Sequence, residues 1–428
     1  MTSYLIRKLA YGFTVLWGVV TLVFVIFDLK PGDPALMLLG ERATPEAVEA
    51  VERELGLDLS SPQRYLLYLN DLSPLSIHTT APDSHFFYDE AKYGGSSLTL
   101  GSTAIAFKAP YLRRSYRSKR MVYDIIREAI PGTFILAIAS ITFALVIGIV
   151  IGMISALRKD SLFDKGSLVI AVLGMSSPSF YMAIIVSWLG GFLWYQHIRL
   201  PYLPFVIALL ALLFMLFSKR GEHSWSRALK SGFIGFMLGW GVLLLAYLVD
   251  TAFGSGLLAL LNGQFLLPGT GLEQSGSLYE VDVFDGPYLA PRNLILPMIT
   301  LGIRPLAIII QLMRNALLEE LGQDYIRTAR AKGLSERAVV LKHAFRNALN
   351  PLVTAVSGWF ASLLAGAVFV EFIFGWQGLG LRVYEALVQE DFPVVIGSVI
   401  VISSIFVIIN ILVDILYGVI DPRVRIGT

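Results

Sequence analysis

Side chains able to catalyse a reaction or hold a metal are scattered along these 428 residues rather than gathered. The five histidines, His78, His85, His197, His223 and His343, stand far apart, and no His-Glu-x-x-His pairing occurs. The ligand spacing of a zinc-type site is therefore missing. Cysteine is absent, which excludes a disulfide framework and any thiolate metal or redox centre. No Gly-Lys dipeptide is present, and a Walker phosphate loop requires one. The Gly-x-Ser-x-Gly turn of a hydrolase nucleophile is missing as well. No enzymatic centre, metal or cofactor is expected.

What remains is charge set in apolar surroundings. Arg304, Glu371 and Asp414 fall inside long apolar runs, where a charge is costly and often marks function. Arg304 precedes Pro305 near a helix end, so it either snorkels or faces a pathway. Glu371, close to the end of its run, is the candidate gate or pathway residue. Asp414 shares a helix face with Tyr417 and is expected to contact a neighbouring helix.

One polar segment is built differently. From Leu318 it reads LEELGQDYIRTARAKGLSERAVVLKHAFRNALNP, mostly strong helix formers. Gly333 interrupts it, and Ser335 can cap the helix that follows. Ala338, Leu341, Phe345 and Leu349 recur at helical spacing. The pattern predicts two helices joined at a glycine with a basic exposed face. A solvated connector would be basic too, but it needs neither two formed helices nor a pivot. Exposed amphipathic helices commonly enter a partner's groove.

The elements that must position these residues are membrane spans. The chain is 55% hydrophobic and only 15% charged, with a mean hydropathy of +0.68, whereas soluble domains carry about 25% charged residues. Eight runs approach the roughly 20 apolar residues a span requires: 9–27, 132–157, 168–195, 200–217, 232–249, 294–318, 352–374 and 394–420. The fourth is the weakest, being short and opened by Pro201 and Pro204; a re-entrant or interfacial piece is the alternative there. The first follows Arg7 and Lys8 but exceeds the roughly 7–15 residues of a signal-peptide core and lacks a small-residue cleavage site, so it reads as a retained span. Lipid-exposed backbone must satisfy its own hydrogen bonds, so the runs are helices.

Lysine and arginine in the short loops orient the spans. With both termini inside, the cytoplasm receives Arg7 and Lys8, Arg158 to Lys165, Lys219 to Lys230, the 319–350 loop, and Arg423 with Arg425. The basic turn 219–230 favours a true hairpin over 200–250. Arg113, Arg114, Arg117, Lys119 and Arg120 then lie outside, in segment 31–131, long enough to cross regardless of charge. They read as a solvated or headgroup-facing surface, with a specific binding patch as the alternative. Within that segment Thr44 caps and Gly56 stops a surface helix whose apolar face is Val48, Val51 and Leu55. Residues 73–120 carry no assignable element, and the outside loop 251–293 reads as irregular.

The string DYIRTARAKGL, Asp324 to Leu334, followed by HAFRNALNPLV from His343, resembles the coupling loop of dipeptide/oligopeptide ABC importer permeases. PGDPA at Pro31–Ala35, ELGLD at Glu54–Asp58, the LLAG…E.IF..QGLG pattern from Leu363 to Gly380, DFPVV at Asp391–Val395 and VDILYGVIDPRVR at Val413–Arg425 agree in the same order. The resemblance implies an all-α polytopic membrane protein: a type I permease core of six helices, here with an added transmembrane hairpin (eight spans) and an extracytoplasmic insertion after the first span. The core would comprise 1–30, 132–199 and 294–428. It implies as partners a second homologous permease subunit, two cytoplasmic ABC ATPase subunits and an extracytoplasmic solute-binding protein. It implies peptides or similar small solutes as cargo, and a cell (inner) membrane location; no nucleic acid is expected. Asp324, Tyr325, Arg327, Thr328, Ala329, Arg330, Ala331, Lys332, Gly333 and Leu334 would dock in an ATPase cleft.

The chain departs from the family pattern at several points. Arg327-Thr328-Ala329 stands where many ABC importers have Glu-Ala-Ala, as is typical of the peptide branch. Gln377 replaces a usual Pro, and Gln311 a common Arg. Peptides are the commonest cargo, with nickel complexes and sugars carried by close relatives. An ion-coupled secondary transporter is the alternative class, supported only by the three intramembrane charges; the paired broken spans of such folds are not evident.

Overall fold

The computed structural model describes residues 2–29, 44–194, 203–217, 225–253, 277–282, 286–352 and 367–420, with a few isolated positions between them. Helix α1 (Thr2–Asp28) leads to α2 (Pro45–Leu55) and α3 (Ser61–Leu72). As expected, the Thr44 side chain caps α2 and Gly56 ends it in the left-handed region, at φ +70°. The segment left unassigned in the sequence then forms a three-stranded antiparallel sheet of β1 (Leu75–Thr79), β2 (Ser96–Leu100) and β3 (Thr103–Phe107), in the order β1-β3-β2. The all-α expectation therefore holds for the apolar helices but not for this small unit, whose cross-strand pairs include Ile77 with Ile105 and Leu98 with Ile105.

The sheet unit is tied to its surroundings by charge. Asp71, at the end of α3 and buried, accepts from Tyr93 Oη at 2.9 Å and from Arg113 Nε and Nη2 at 3.3 and 3.2 Å. Its backbone oxygen accepts from Lys108 Nζ at 2.6 Å. Arg64 pairs with Asp28 at 2.8 Å, and Thr21 Oγ1 lies 2.6 Å from Tyr65 Oη, which fastens α3 to the end of α1.

Helix α4 (Val122–Leu157) begins ten residues before the expected span. Its 36 residues, at about 1.5 Å each, make about 54 Å, well beyond the roughly 30 Å hydrocarbon layer. Val122, Ile126 and Ala129 bury the projecting turns against Leu379, Val394 and Val395. The expected third span is a bent pair rather than one straight helix. Helix α5 (Leu162–Ser176) and α6 (Ser179–Val186, continuing as a π-helix through Trp194) meet at 113°. Pro178 disfavours helical backbone at Ser177, and Ser177 is extended, at φ −82° and ψ 130°.

Helices α7 (Leu203–Phe217) and α8 (Trp225–Phe253) pack on each other at the expected hairpin, Gly235 lying against the Ile207 carbonyl. Part of the loop expected to be irregular is a hairpin of β4 (Tyr279–Asp282) and β5 (Gly286–Leu289). Among the described helices of membrane-spanning length, α9 (Ile295–Leu321) is the most enclosed, and it contains Pro305. It packs along α4 at a small-residue seam: a Cβ on Gly148 would lie 2.7 Å from Ile309, and one on Gly152 2.8 Å from Met313. Helix association in lipid relies on such close approach.

After α9 come α10 (Asp324–Ala331) and α11, which starts at Glu336–Ala338, runs through π-helical Val339–Ala344 and ends at Phe345–Ala348. Helices α12 (Val368–Ile373), α13 (Leu379–Val388) and α14 (Phe392–Ile420) complete the chain, α14 packing against α1. Five described helices are long and apolar enough to cross a membrane, six if the bent pair counts as one span. Ten of the 23 residues of the expected seventh span, 352–374, lie outside the described residues.

Candidate functional site

The segment singled out in the sequence forms a short helix, a glycine turn and a second helix. Gly333 adopts φ +77°, with its N–H donating to the Arg330 carbonyl at 2.9 Å. A left-handed residue just past a helix end favours glycine. The Ser335 side chain caps α11, as expected, by accepting from the Ala338 N–H at 3.4 Å. One face of α10 is an anchor: Ile326 and Ala329 are buried in a cluster with Met313, Leu317, Val339, Ala344 and Leu352. The opposite face is solvent-facing, with Arg327, Thr328, Lys332 and Leu334 exposed.

Polar contacts stiffen this element. Arg330 Nε donates to Glu336 at 2.8 Å across the turn, and that carboxylate holds the guanidinium above its ordinary range. Tyr325 donates to Glu320 and accepts from Asn347 Nδ2 at 3.0 Å. Burial, then the bond to Glu320, push its phenol up, so it stays protonated and keeps both bonds. Among the sequence-predicted residues, Ile326's neighbours Tyr325 and Arg327 and the Thr328–Leu334 stretch are thus brought onto one compact knob. Asp324, which opens α10, is exposed and pairs with Arg327 at 3.2 Å.

At the base of the knob lies a cluster that the sequence reading missed. Asp164 accepts from Arg314 Nε at 2.6 Å and Arg314 Nη2 at 2.8 Å. It also accepts from Ser155 Oγ and, at 2.9 Å, from the Asp160 N–H. Ser155 Oγ lies 3.0 Å from Ser167 Oγ. One carboxylate thereby joins α4, the following turn, α5 and α9. Two signals were present: Arg314 is a charge inside an apolar run, and Ser161-x-x-Asp164 is capping-box spacing, realised as Asp164 N–H to Ser161 Oγ at 3.2 Å.

Glu371 sits against the first third of α4, fully enclosed at 0% exposure. Its carboxylate accepts from Thr133 Oγ1 at 2.7 Å and from the Leu381 N–H at 3.1 Å. Thr133 Oγ1 in turn accepts from the Leu379 N–H at 2.8 Å. Gly378, the N-cap of α13, has no side chain to satisfy these donors, and a Cβ there would collide with the Glu371 carboxylate. Trp376 Nε1 donates to the Gly132 carbonyl at 2.9 Å, closing the loop onto α4. Nearby, Asp391 accepts from Ser115 Oγ and from the Tyr116 and Arg117 N–H groups at 2.9 and 3.4 Å.

Arg304 is exposed beside a cavity of about 60 Å³ at the α5–α6 bend, lined also by Ser177, Thr300, Pro305 and Trp359. Its guanidinium stands 5.7 Å from the Trp359 ring centre. Asp414 lies outside the described side chains. Of the five cations before α4, Arg113 binds Asp71, Arg117 binds the Gln389 carbonyl at 2.9 Å, and Arg120 binds Glu128. Arg114 and Lys119 line a cavity of about 500 Å³ with Asp71, Asp89 and Tyr111.

Residues 148–426 match the family described as binding-protein-dependent transport system inner membrane component, and residues 1–81 match the N-terminal family of that membrane component. The chain belongs to this family. This inner membrane component is 32% identical over 432 residues to the di/tripeptide transport system permease protein DppB of Pseudomonas aeruginosa, covering 99% of each chain. It is 31% identical over 427 residues to the dipeptide transport system permease protein DppB of Escherichia coli K12, again 99% of each. Against the dipeptide transport system permease protein DppB of Alkalihalophilus pseudofirmus it is 30% identical over 430 residues, 99% of this chain and 100% of the other. The inner membrane component is a multi-pass transport subunit, and the knob at 324–334 falls within its family match.

Proposed function

We propose that this chain is the peptide-translocating permease subunit of an ABC importer, with Asp324–Leu334 as the element that docks in an ATPase cleft. The carrying observation is the split character of α10: Ile326 and Ala329 are rooted among α9 and α11, while Arg327, Thr328 and Lys332 face outward. A push on such a helix is delivered to the bundle rather than lost in a loop. Peptide cargo is supported by the names of the relatives, all three of which are dipeptide or di/tripeptide permeases.

In this reading both termini and the 319–350 loop face the cytoplasm, and the α2–β3 unit lies outside, where a solute-binding protein delivers cargo. The α7–α8 hairpin adds two spans to a six-helix core paired with a second permease, and two ATPase subunits sit below. Glu371 serves the pathway as a positioning residue: it holds the N-terminus of α13 rather than touching cargo.

The test uses the chain co-expressed with its ATPases. Gly333→Trp forces a side chain into a left-handed position, and Arg330→Glu reverses charge and breaks the bond to Glu336. Both are expected to abolish ATPase co-purification and substrate-stimulated ATP turnover. Wild-type assembly and turnover in both variants would overturn the docking assignment.

A further inference from the structure

We propose that the Asp164–Arg314 pair is the strut through which movement of the docking helix reaches the bent α5–α6 pair, making both positioning residues for transport. The proposal rests on the docking assignment for α10 and extends it inward. Arg314 lies on the last turns of α9, and α10 begins ten residues later, at Asp324. Ile326 and Ala329 share one buried cluster with Met313 and Leu317, the turns that flank Arg314, and α10 joins it by packing on the π-helical part of α11. Displacing α10 therefore displaces the end of α9 that carries the guanidinium.

The guanidinium grips α5 by two parallel bonds, Nε to Oδ1 and Nη2 to Oδ2, at 2.6 and 2.8 Å. Such a fork fixes orientation as well as distance. Asp164 is 2% exposed and Arg314 15%, so the link is poorly screened by water. From that grip α5 runs antiparallel to α9. A Cβ at Gly174, ten residues on, would stand 3.1 Å from Ile303 and 3.3 Å from Ala307. Two residues further the chain bends by 113° over the cavity that Arg304, Thr300 and Trp359 also line. The strut thus holds one end of a rigid helix whose other end shapes that cavity.

Apolar packing alone would let α5 slide along α9, because lipid tails compete equally for Leu and Ile surfaces. The fork fixes the register. The carboxylate's remaining acceptor sites are filled by Ser155 and the Asp160 N–H, which brings the end of α4 into the same unit.

The experiment measures, in proteoliposomes containing the whole transporter, solute taken up per ATP hydrolysed, using a labelled dipeptide as probe. Asp164→Asn and Arg314→Gln are expected to keep ATPase co-purification while uptake per ATP falls about five- to hundred-fold, the span of ordinary coupling energies. Arg314→Lys keeps the charge but not the fork; it is expected to insert normally and give an intermediate ratio. An unchanged ratio in Arg314→Lys and Arg314→Gln, or uptake, turnover and membrane level falling in strict proportion, would overturn the strut. Failure of the docking reading is seen separately, as Arg330→Glu leaving assembly and turnover intact.

Discussion

Removing the Glu371 carboxylate tests whether it is a brace for α13 or a group that serves the cargo directly. In Glu371→Ala the Thr133 hydroxyl and the Leu381 N–H lose their acceptor, and the Gly380 N–H, also directed at the carboxylate, loses its own. Each unsatisfied buried donor costs about 1–3 kcal/mol. Because Thr133 also holds the Leu379 N–H, the losses are not independent, and a total of about 3–5 kcal/mol is expected. Glu371→Gln keeps the shape but sets an amide donor against one of these donors, for a loss of about 1–3 kcal/mol. Thr133→Val should approach the alanine variant, since the hydroxyl both donates and accepts, whereas Thr133→Ser keeps both bonds and is expected to be near neutral. The assay is thermal unfolding of the purified transporter in detergent, with dipeptide uptake measured in parallel. A brace predicts that stability and uptake are lost in the same order, Ala and Val above Gln above Ser. If Glu371→Ala melts like wild type, or Thr133→Val does while Glu371→Ala abolishes uptake, the bracing argument is wrong.

Two further outcomes follow from the unit before α4. Asp391→Ala removes the acceptor shared by Ser115, Tyr116 and Arg117; at about 1.5–3 kcal/mol for a hydrogen bond to a charged group, trypsin cleavage at Arg117–Arg120 should accelerate at least about tenfold, and unchanged cleavage would refute the clamp. His78 is buried, with Nε2 2.9 Å from Ser76 Oγ and Nδ1 without a partner, and burial first, then Lys108, lowers its pKa below the ordinary 6.5. The unfolded unit then binds the proton more readily, so stability is full above pH 6.5 and falls below it, by up to about 1.4 kcal/mol per pH unit until the folded imidazole titrates. Hydrogen-exchange protection factors in residues 75–107, which divide out the base-catalysed intrinsic rate, should fall between pH 7.5 and 5.5 in wild type and less so in His78→Gln; equal response in both would exclude His78 as the cause.

The long apolar runs, the cap at Thr44 and the turns at Gly56 and Gly333 were legible because each depends on neighbours in sequence. The early start of α4 was legible in principle, since Val122, Ile126 and Ala129 recur at helical spacing, but Asp124, Arg127 and Glu128 lower the hydropathy that marks a span. The strands were hidden differently. LSIHT and TAIAF do alternate, yet Ser76, His78, Ala104 and Ala106 face inward, while Leu75, Ile77 and Phe107 face outward. An alternation of inverted polarity does not read as a core. The contacts that assemble the site were beyond reach: Asp164 meets Arg314 across 150 residues, and Glu371 meets Thr133 across 238. No local periodicity encodes such a pairing.

These long-range pairings share a physical cause. Helices in lipid gain little from burying one apolar face rather than another, so apolar sequence alone leaves their rotation and register loosely set. A buried carboxylate does not, because each unfilled acceptor site is costly. Asp164 at one end of α4 and Glu371 a third of the way in from the other each collect donors from separate segments, and Asp391 fastens the stretch between β3 and α4 to the start of α14. Between them α4 and α9 meet through Gly148 and Gly152, a seam held by packing. The bend at Ser177-Pro178 and Pro305 of α9 both border the cavity in this middle layer. A rearrangement that kept all three carboxylates satisfied would therefore turn on the middle of the bundle, where backbone is already bent and no fork has to break.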